Sequence, residues 1–326
     1  MNYLLIILIT FLLIIILLLY IHSKLVIKEK HKFDKYASLG YYKSCKYNKQ
    51  ECLYILNKAR KEISLYNKKD ICVVTVSIGN RKFSKITKKR MKEYCDLYNY
   101  DMVYFTKTLD KKFPVIWQKC VAMNKVLNMK DENGNYKYKM VVWFDDDIYI
   151  TNMKYRLEDF IKINLNKDIF MPRDIIKHNY NHYINSGSYI MKNTKISRDF
   201  MKDTLNGIDL FGGHFREGVN HEQSINTYLY FSKKKYANAI EVLPYGVLQS
   251  IHNKSYFWYK NFYWIVSYFL DLNGPWEEGD FCIHFISMKE NQRNEICKRI
   301  EKHDDIKKDK NIYFPHNYKI TNKNWK

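Results

Sequence analysis

The sequence predicts an α/β domain behind a single apolar N-terminal segment. Three features lead to that reading. From residue 71 onward, short β-branched runs alternate with amphipathic stretches, residues 3–21 are almost wholly apolar, and three aspartates in a row close one of the apolar runs. Strand, helix, strand, helix, strand at this spacing is the pattern of a parallel sheet flanked by helices.

The apolar segment comes first. In residues 3–21 Thr10 is the only ordinary polar residue. At about 1.5 Å rise per residue such a helix spans close to the ~30 Å hydrocarbon core and satisfies its own backbone there. No basic residue precedes it and no small-x-small site precedes His22, so it reads as a retained anchor and not a cleaved signal peptide. Residues 1–22 are thus the expected transmembrane anchor, 23–69 a Lys- and Tyr-rich stem with a helix over 51–64, and 70–326 the globular domain. Lys24, Lys28, Lys30, Lys32 and Lys35 follow the span, and that bias alone would hold the domain on the cytosolic side.

Within the domain, 71–78 reads as a buried strand running into Gly79-Asn80. A basic amphipathic helix follows to about Tyr98, then a strand over 100–106, a helix over 117–129 and a strand over 140–144. Downstream, 168–171 and 188–191 read as strands, 195–205 and 221–230 as helices, and 281–287 as a late strand. No Pro/Gly linker divides 70–300, which reads as one domain.

Composition narrows the classes. Hydrophobic residues at 46% and aromatics at 16% exclude intrinsic disorder, and Gly 11 with Pro 5 excludes a collagen-like chain. Seven cysteines without a CxxC pair exclude a complete disulfide framework and a zinc ribbon; Cys72, Cys120 and Cys282 sit in apolar runs and read as core. Asn253-Lys-Ser is the one glycosylation sequon. The net charge of +21 and the basic stretch 81–92 raise nucleic acid as a partner. Phe83, Ile86 and Met91 give that stretch an apolar inner side, however, and no zinc-finger spacing or RNP-like motif accompanies it, so no nucleic-acid partner is expected.

Asp145-Asp146-Asp147 follows the apolar run 140–144 directly. Carboxylates at the end of a buried strand are costly unless something neutralises them, and in open α/β sheets that edge is where ligands bind. An extended backbone would point Asp145 and Asp147 to one side, as hard oxygen ligands for Mg²⁺ or Mn²⁺. The competing reading is an acidic turn. A cation held by two carboxylates and open elsewhere suits a diphosphate, hence a nucleotide-diphosphate sugar. No GxxxxGK[ST] or GxGxxG is present, and Ile225 excludes a zincin at His221-Glu222.

These residues resemble a family, the retaining GT-A glycosyltransferases of family 34, which include fungal Golgi α-galactosyl- and α-mannosyltransferases and plant xyloglucan xylosyltransferases. The resemblance runs from about 71 to 289. It is carried in order by the strand at 71–78, Trp117-Gln-Lys119, Trp143-Phe-Asp-Asp-Asp147, Asn185-Ser-Gly-Ser188, Glu222-Gln-Ser224 and Gly279-Asp-Phe-Cys-Ile-His-Phe285. It implies a GT-A fold, a Rossmann-like nucleotide-sugar-binding mixed sheet flanked by helices, over 70–326. By the same resemblance Asp145, Asp147 and His284 are metal ligands, Asp146 serves the donor's ribose or sugar, Ser77 binds the donor, and Lys289 contacts the diphosphate. Asn185 and Gly187 form the donor-sugar loop, and Glu222-Gln223 line the sugar pocket. An imidazole ligand favours Mn²⁺ over Mg²⁺. Position 222 is Glu where the family usually has Asp, and 186 is Ser instead of Thr.

The resemblance further implies a Golgi-type, lumenal, single-pass enzyme. It would pass a hexose or pentose from a UDP- or GDP-linked donor to a glycan or glycoprotein acceptor. Taken without it, His284 reads equally as a core histidine, Lys289 as a surface lysine, Glu222 as a first-turn acid, and Trp117 and Lys119 as packing and solvated charge. Two other functions stay open at this point: a glycoside hydrolase with paired carboxylates, and a basic membrane-tethered polyanion- or glycan-binding protein without catalysis.

Overall fold

The computed structural model describes residues 68–79, 82–153, 155–161, 164–174, 183–213, 221–243, 247–251, 276, 280–286 and 288–304. The expected anchor, the helix over 51–64, the Asn253 sequon, Cys45 and Cys52 lie outside the described residues. Among the described residues no helix is long and apolar enough to cross a membrane.

Strands β1 (Ile71–Val76), β2 (Asp101–Phe105) and β3 (Met140–Phe144) form one half of a six-stranded sheet; β5 (Ile169–Pro172), β6 (Ser188–Lys192) and β7 (Ile240–Leu243) form the other. The order is β2-β1-β3-β6-β5-β7. β1 lies parallel to β2 and β3, and β5 parallel to β7, whereas β6 runs antiparallel to both β3 and β5. The sheet is therefore mixed, as the family resemblance implies, where strand–helix alternation alone reads as parallel. The alternation fixes direction only where a helical crossover joins neighbouring strands, here around β1.

The helices are α1 (Lys82–Tyr98), α2 (Gln118–Leu127), α3 (Leu157–Ile161), α4 (Lys195–Asn206), α5 (His221–Ser232), α6 (Lys234–Ala239) and α7 (Glu290–Asp304). They cover both faces of the sheet. On one face Cys72, Val74, Val141, Trp143, Tyr189 and Met191 pack with residues of α2, α4 and α5; on the other Ile71, Val73, Val142, Phe144 and Ile190 pack with α1 and α3. That odd–even division is the two-residue period of a strand. It explains why β1 and β3 read as unbroken apolar runs, being buried on both sides. The basic stretch at the start of α1 proves a solvated helix face: Phe83, Met91, Tyr94 and Cys95 point inward while Lys85, Lys88, Lys89 and Lys92 are exposed. Cys72, Cys120 and Cys282 are buried and unbridged, as are Cys95 and Cys297.

A second, three-stranded sheet has the order β4-β9-β8, built from β4 (Ile148–Ile150), β8 (Ser250–Ile251) and β9 (Cys282–His284). β9 is shorter than the run 281–287, but its neighbour Phe281 ties it to the domain. Its ring lies 5.0 Å from Phe160, 5.6 Å from Tyr94, 6.0 Å from Tyr155 and 6.1 Å from Phe144. Phe281→Ala should leave a cavity among four rings and cost about 3–5 kcal/mol, read by denaturant unfolding. A loss under about 1 kcal/mol would mean that β9 is held by other contacts.

Candidate active site

The acidic triplet begins where buried β3 reaches the sheet edge. It is a tight turn and not extended chain: the Ile148 N–H donates to the Asp145 carbonyl at 3.0 Å, and β4 starts at once. The expectation that strand geometry aligns Asp145 and Asp147 is thereby corrected. They converge for another reason. β4 pairs antiparallel with β9, placing Ile148 opposite His284, and the Phe285 N–H donates to the Asp147 carbonyl at 3.1 Å. The His284 Nε2 then lies 3.2 Å from Asp147 Oδ1 and 3.7 Å from Asp145 Oδ2. One ligand atom from each of the three residues falls within 4.8 Å of the others, close enough to share a cation.

Gly187 completes this corner. A Cβ there would stand 2.2 Å from His284 Cε1 and 2.5 Å from Nδ1, so glycine is what lets the imidazole lie against the chain. The Gly187 carbonyl accepts from the Asp145 N–H at 2.8 Å, holding the turn against the start of β6. Asp146 is held toward β1 and α1: its Oδ2 accepts from the Ser77 hydroxyl at 2.7 Å and its carbonyl from the Thr87 hydroxyl at 2.6 Å.

Charge is tightly matched. Burial pushes the Asp147 carboxyl up, but His284, Arg293 and Lys119 outweigh it and bring it down to about 2. Burial raises Asp145 above the usual carboxylate range despite the opposing pull of Lys119 and His284. His284 is disfavoured as a cation by burial, yet Asp147 and Asp145 lift it above the ordinary imidazole value. Its Nδ1 is buried without a hydrogen-bond partner. Two carboxylates and an imidazole aimed at one point are the donor set of a divalent-metal site.

Lys119 is the residue that sequence reading placed least well. It is largely withdrawn from solvent, with 11% of its side chain exposed; its Nζ lies 2.9 Å from Asp145 Oδ1 and 2.9 Å from Glu222 Oε1. The preceding residue fixes its position. The fully buried Gln118 amide accepts from the Leu109 and Asp110 N–H groups at 2.8 and 3.2 Å and donates to the Asp110 and Phe113 carbonyls at 2.7 and 2.8 Å. The Trp143 indole also donates to Asp145 Oδ1, at 2.8 Å.

Beyond Lys119 the polar chain continues along the sheet edge. Glu222 accepts from the Ser186 hydroxyl at 2.7 Å, and Gln223 accepts from the Ser186 N–H at 3.1 Å. Gln223 also donates to Asp174 Oδ2 at 2.7 Å. Asn185 Oδ1 accepts from the Gly187 N–H at 2.8 Å and from Gln249 Nε2 at 2.5 Å. Thus Asp145, Asp147, His284, Gly187, Asn185, Glu222 and Gln223 come together, with Ser77 and Asp146 on the β1 side. Asp174 and Gln249 escaped the sequence reading. Asp174 lies two residues past β5, whose partners no local pattern names, and Gln249 precedes a two-residue strand too short to show a period.

Lys289 does not join the cluster. It is exposed at the threshold of α7, and none of the described contacts links it to the three ligand residues. One turn later Arg293 Nη1 lies 3.8 Å from Asp147 Oδ2.

The profile of the galactosyl transferase GMA12/MNN10 family matches residues 164–295. The Asn185–Ser188, Glu222–Ser224 and 279–285 motifs fall inside that stretch; the β1 run, Trp117–Lys119 and the acidic triplet precede it. The match bears out the resemblance read from the motifs and supports a glycosyltransferase. A search of curated sequences finds no match. Among solved structures, a glycosyltransferase involved in glycosylation of the major capsid of PBCV-1 aligns with TM-score 0.48 and 14% identity over 70% of this chain and 99% of its own. The glycosyltransferase GlyE of Streptococcus pneumoniae aligns at 0.44 and 12% over 72% of this chain and 60% of its own. Mouse xyloside xylosyltransferase 1 aligns at 0.40 and 13% over 72% and 92%. None of the three is close enough to carry a functional assignment.

Two variants probe this geometry. Gly187→Ala should displace the His284 ring and weaken Mn²⁺ binding more than roughly tenfold with an unchanged far-UV spectrum; unaltered Mn²⁺ affinity would detach His284 from the cluster. Lys119→Met leaves Glu222 and Asp145 without their shared cation. It should cost about 3–5 kcal/mol in denaturant unfolding, and a neutral effect would show the pair to be solvated.

Proposed function

We propose that the chain is a membrane-anchored, divalent-metal-dependent, retaining glycosyltransferase of GT-A architecture. It would move a hexose or pentose from a UDP- or GDP-linked sugar to a glycan or glycoprotein acceptor. One observation carries the reading: the β4–β9 pairing brings the turn that holds Asp145 and Asp147 against His284, and the three side chains meet within reach of one cation.

In this reading Asp145, Asp147 and His284 hold the metal, with Mn²⁺ favoured over Mg²⁺ by the imidazole. When bound, the cation supplies neutralising charge to the donor diphosphate and to the departing nucleotide. Ser77 and Asp146, tied to each other beside β1, take the nucleoside end of the donor. Asn185 and Gly187 border the sugar; Lys289, the diphosphate contact that the resemblance implies, lies exposed just before α7 and outside the cluster.

Glu222 and Gln223 serve the reacting carbon. Lys119 and Ser186 hold the Glu222 carboxylate in place, so it presents a fixed negative charge where positive charge develops at the anomeric centre. Gln223 is braced on both sides, by the Ser186 N–H and by Asp174. Such preorganisation spares the reaction the work of orienting dipoles. Attack and departure on one face let a leaving phosphate oxygen take the acceptor's proton, so no strong protein base is required. The apolar run 3–21 supplies the tether, and glycan occupancy at Asn253, read by an endoglycosidase shift, would report a lumenal domain.

The net charge of +21 favours one other reading, a tethered polyanion-binding protein. Incubation with labelled nucleotide sugars, Mn²⁺ and a glycan panel separates the two. Transfer is expected from at least one donor, and it should fall more than roughly a thousandfold in EDTA or in the Asp145→Ala/Asp147→Ala double variant. Salt-sensitive polyanion binding without transfer, or transfer that survives both treatments, would contradict the proposal.

A further inference from the structure

We infer that Arg293 is a second cation of the donor-diphosphate site, an inference that rests on the nucleotide-sugar reading above. Lys289, the position the family resemblance assigns to the diphosphate, is exposed. Arg293, four residues on and within α7, places Nη1 3.8 Å from Asp147 Oδ2, while Lys119 pairs with Asp145.

Its pose is built, not incidental. The Arg293 Nε–H donates to the Met288 carbonyl at 2.8 Å, and the guanidinium lies 5.2 Å from the centroid of the Phe83 ring. Those two contacts fix the plane of the fork and aim its Nη end at Asp147. The separation of 3.8 Å from Nη1 to Asp147 Oδ2 is too long for a hydrogen bond. The attraction is therefore electrostatic, and the Nη–H groups are not spent on Asp147. No described hydrogen bond from either Nη atom is present in the surroundings. With 18% of its side chain exposed, the group remains reachable from solvent.

A planar fork with uncommitted donors beside a two-carboxylate metal corner matches phosphate oxygens, which accept two parallel N–H bonds. Arg293 would offer that fork to a diphosphate bound beside Asp147 while keeping the two contacts that hold it. The orientation of Arg293 is settled before the ligand arrives, whereas none of the described contacts holds the exposed Lys289 at the cluster. A purely structural role, neutralising Asp147, makes a different prediction: the metal would sense the loss of Arg293 as much as the nucleotide does.

The test is calorimetric titration of the full-length protein, wild type, Arg293→Ala and Arg293→Lys, with three probes: Mn²⁺ alone, UDP or GDP in saturating Mn²⁺, and uridine or guanosine in saturating Mn²⁺. Arg293→Ala should weaken diphosphate binding roughly ten- to a hundredfold while Mn²⁺ and nucleoside binding change less than about threefold. Arg293→Lys, which keeps charge and loses the fork, should recover only part of the loss, and it carries the test alone if the alanine variant does not fold. Diphosphate affinity unchanged in the variants, or Mn²⁺ affinity falling as far as diphosphate affinity, would overturn the inference and leave the glycosyltransferase reading standing. A wild-type protein that binds neither diphosphate in Mn²⁺ would overturn both.

Discussion

The site depends on the antiparallel pairing of β4 with β9. These two three-residue strands are far apart in the chain, and their register decides whether Asp147 and His284 face each other. This register is locked by the ring cluster around Phe281, by the Thr151 hydroxyl bonded to the Asp280 carbonyl at 2.5 Å, by the Phe285 N–H bonded to the Asp147 carbonyl, and by the close approach of Gly187 to the imidazole. A one-residue slip would turn His284 to the opposite face of its strand and leave two adjacent acids with no third ligand. The small sheet is thus the clamp, and the large sheet is the platform against which it closes.

Around that clamp the polar groups form a continuous chain. It runs from Asp145 through Lys119 to Glu222, through Ser186 to Gln223, and ends at Asp174. Buried networks of this kind are costly unless every member finds a partner, and here each link supplies one. Such a chain couples the Asp145–Asp147–His284 corner to Glu222 mechanically, because moving Asp145 pulls on Lys119 and moving Lys119 releases Glu222. It also gives one reason for the glutamate at 222: the longer side chain reaches both the Lys119 ammonium and the Ser186 hydroxyl.

Much of the architecture could be read from residue patterns. The apolar runs at β1 and β3, the periodicity of α1, and the positions of α2, α4 and α5 all follow from local burial, which a single sequence records directly. β4, β7 and β8 left no such trace because two to four residues are too few to define a period. α7 is dominated by charge, and its inward residues Ile296, Cys297 and Ile300 are too few in a fifteen-residue helix to define an apolar stripe. The site divides in the same way. The acidic triplet was conspicuous for following an apolar run, and His284 was legible through the motif around it. Asp174, Gln249 and Arg293 are single polar residues whose meaning comes only from strands and helices that fold back on the cluster. Lys119 was visible but ambiguous, since a lysine on a helix reads as solvated until the carboxylates opposite it are known.

The central claim is that Asp145, Asp147 and His284 share one divalent ion, and anomalous diffraction at the manganese edge from crystals grown with Mn²⁺ tests it most directly. The account predicts a single strong peak bounded by the carboxylates at 145 and 147 and by the imidazole at 284. A peak elsewhere at full Mn²⁺ occupancy, or one that leaves any of these three side chains out of its coordination, would contradict it.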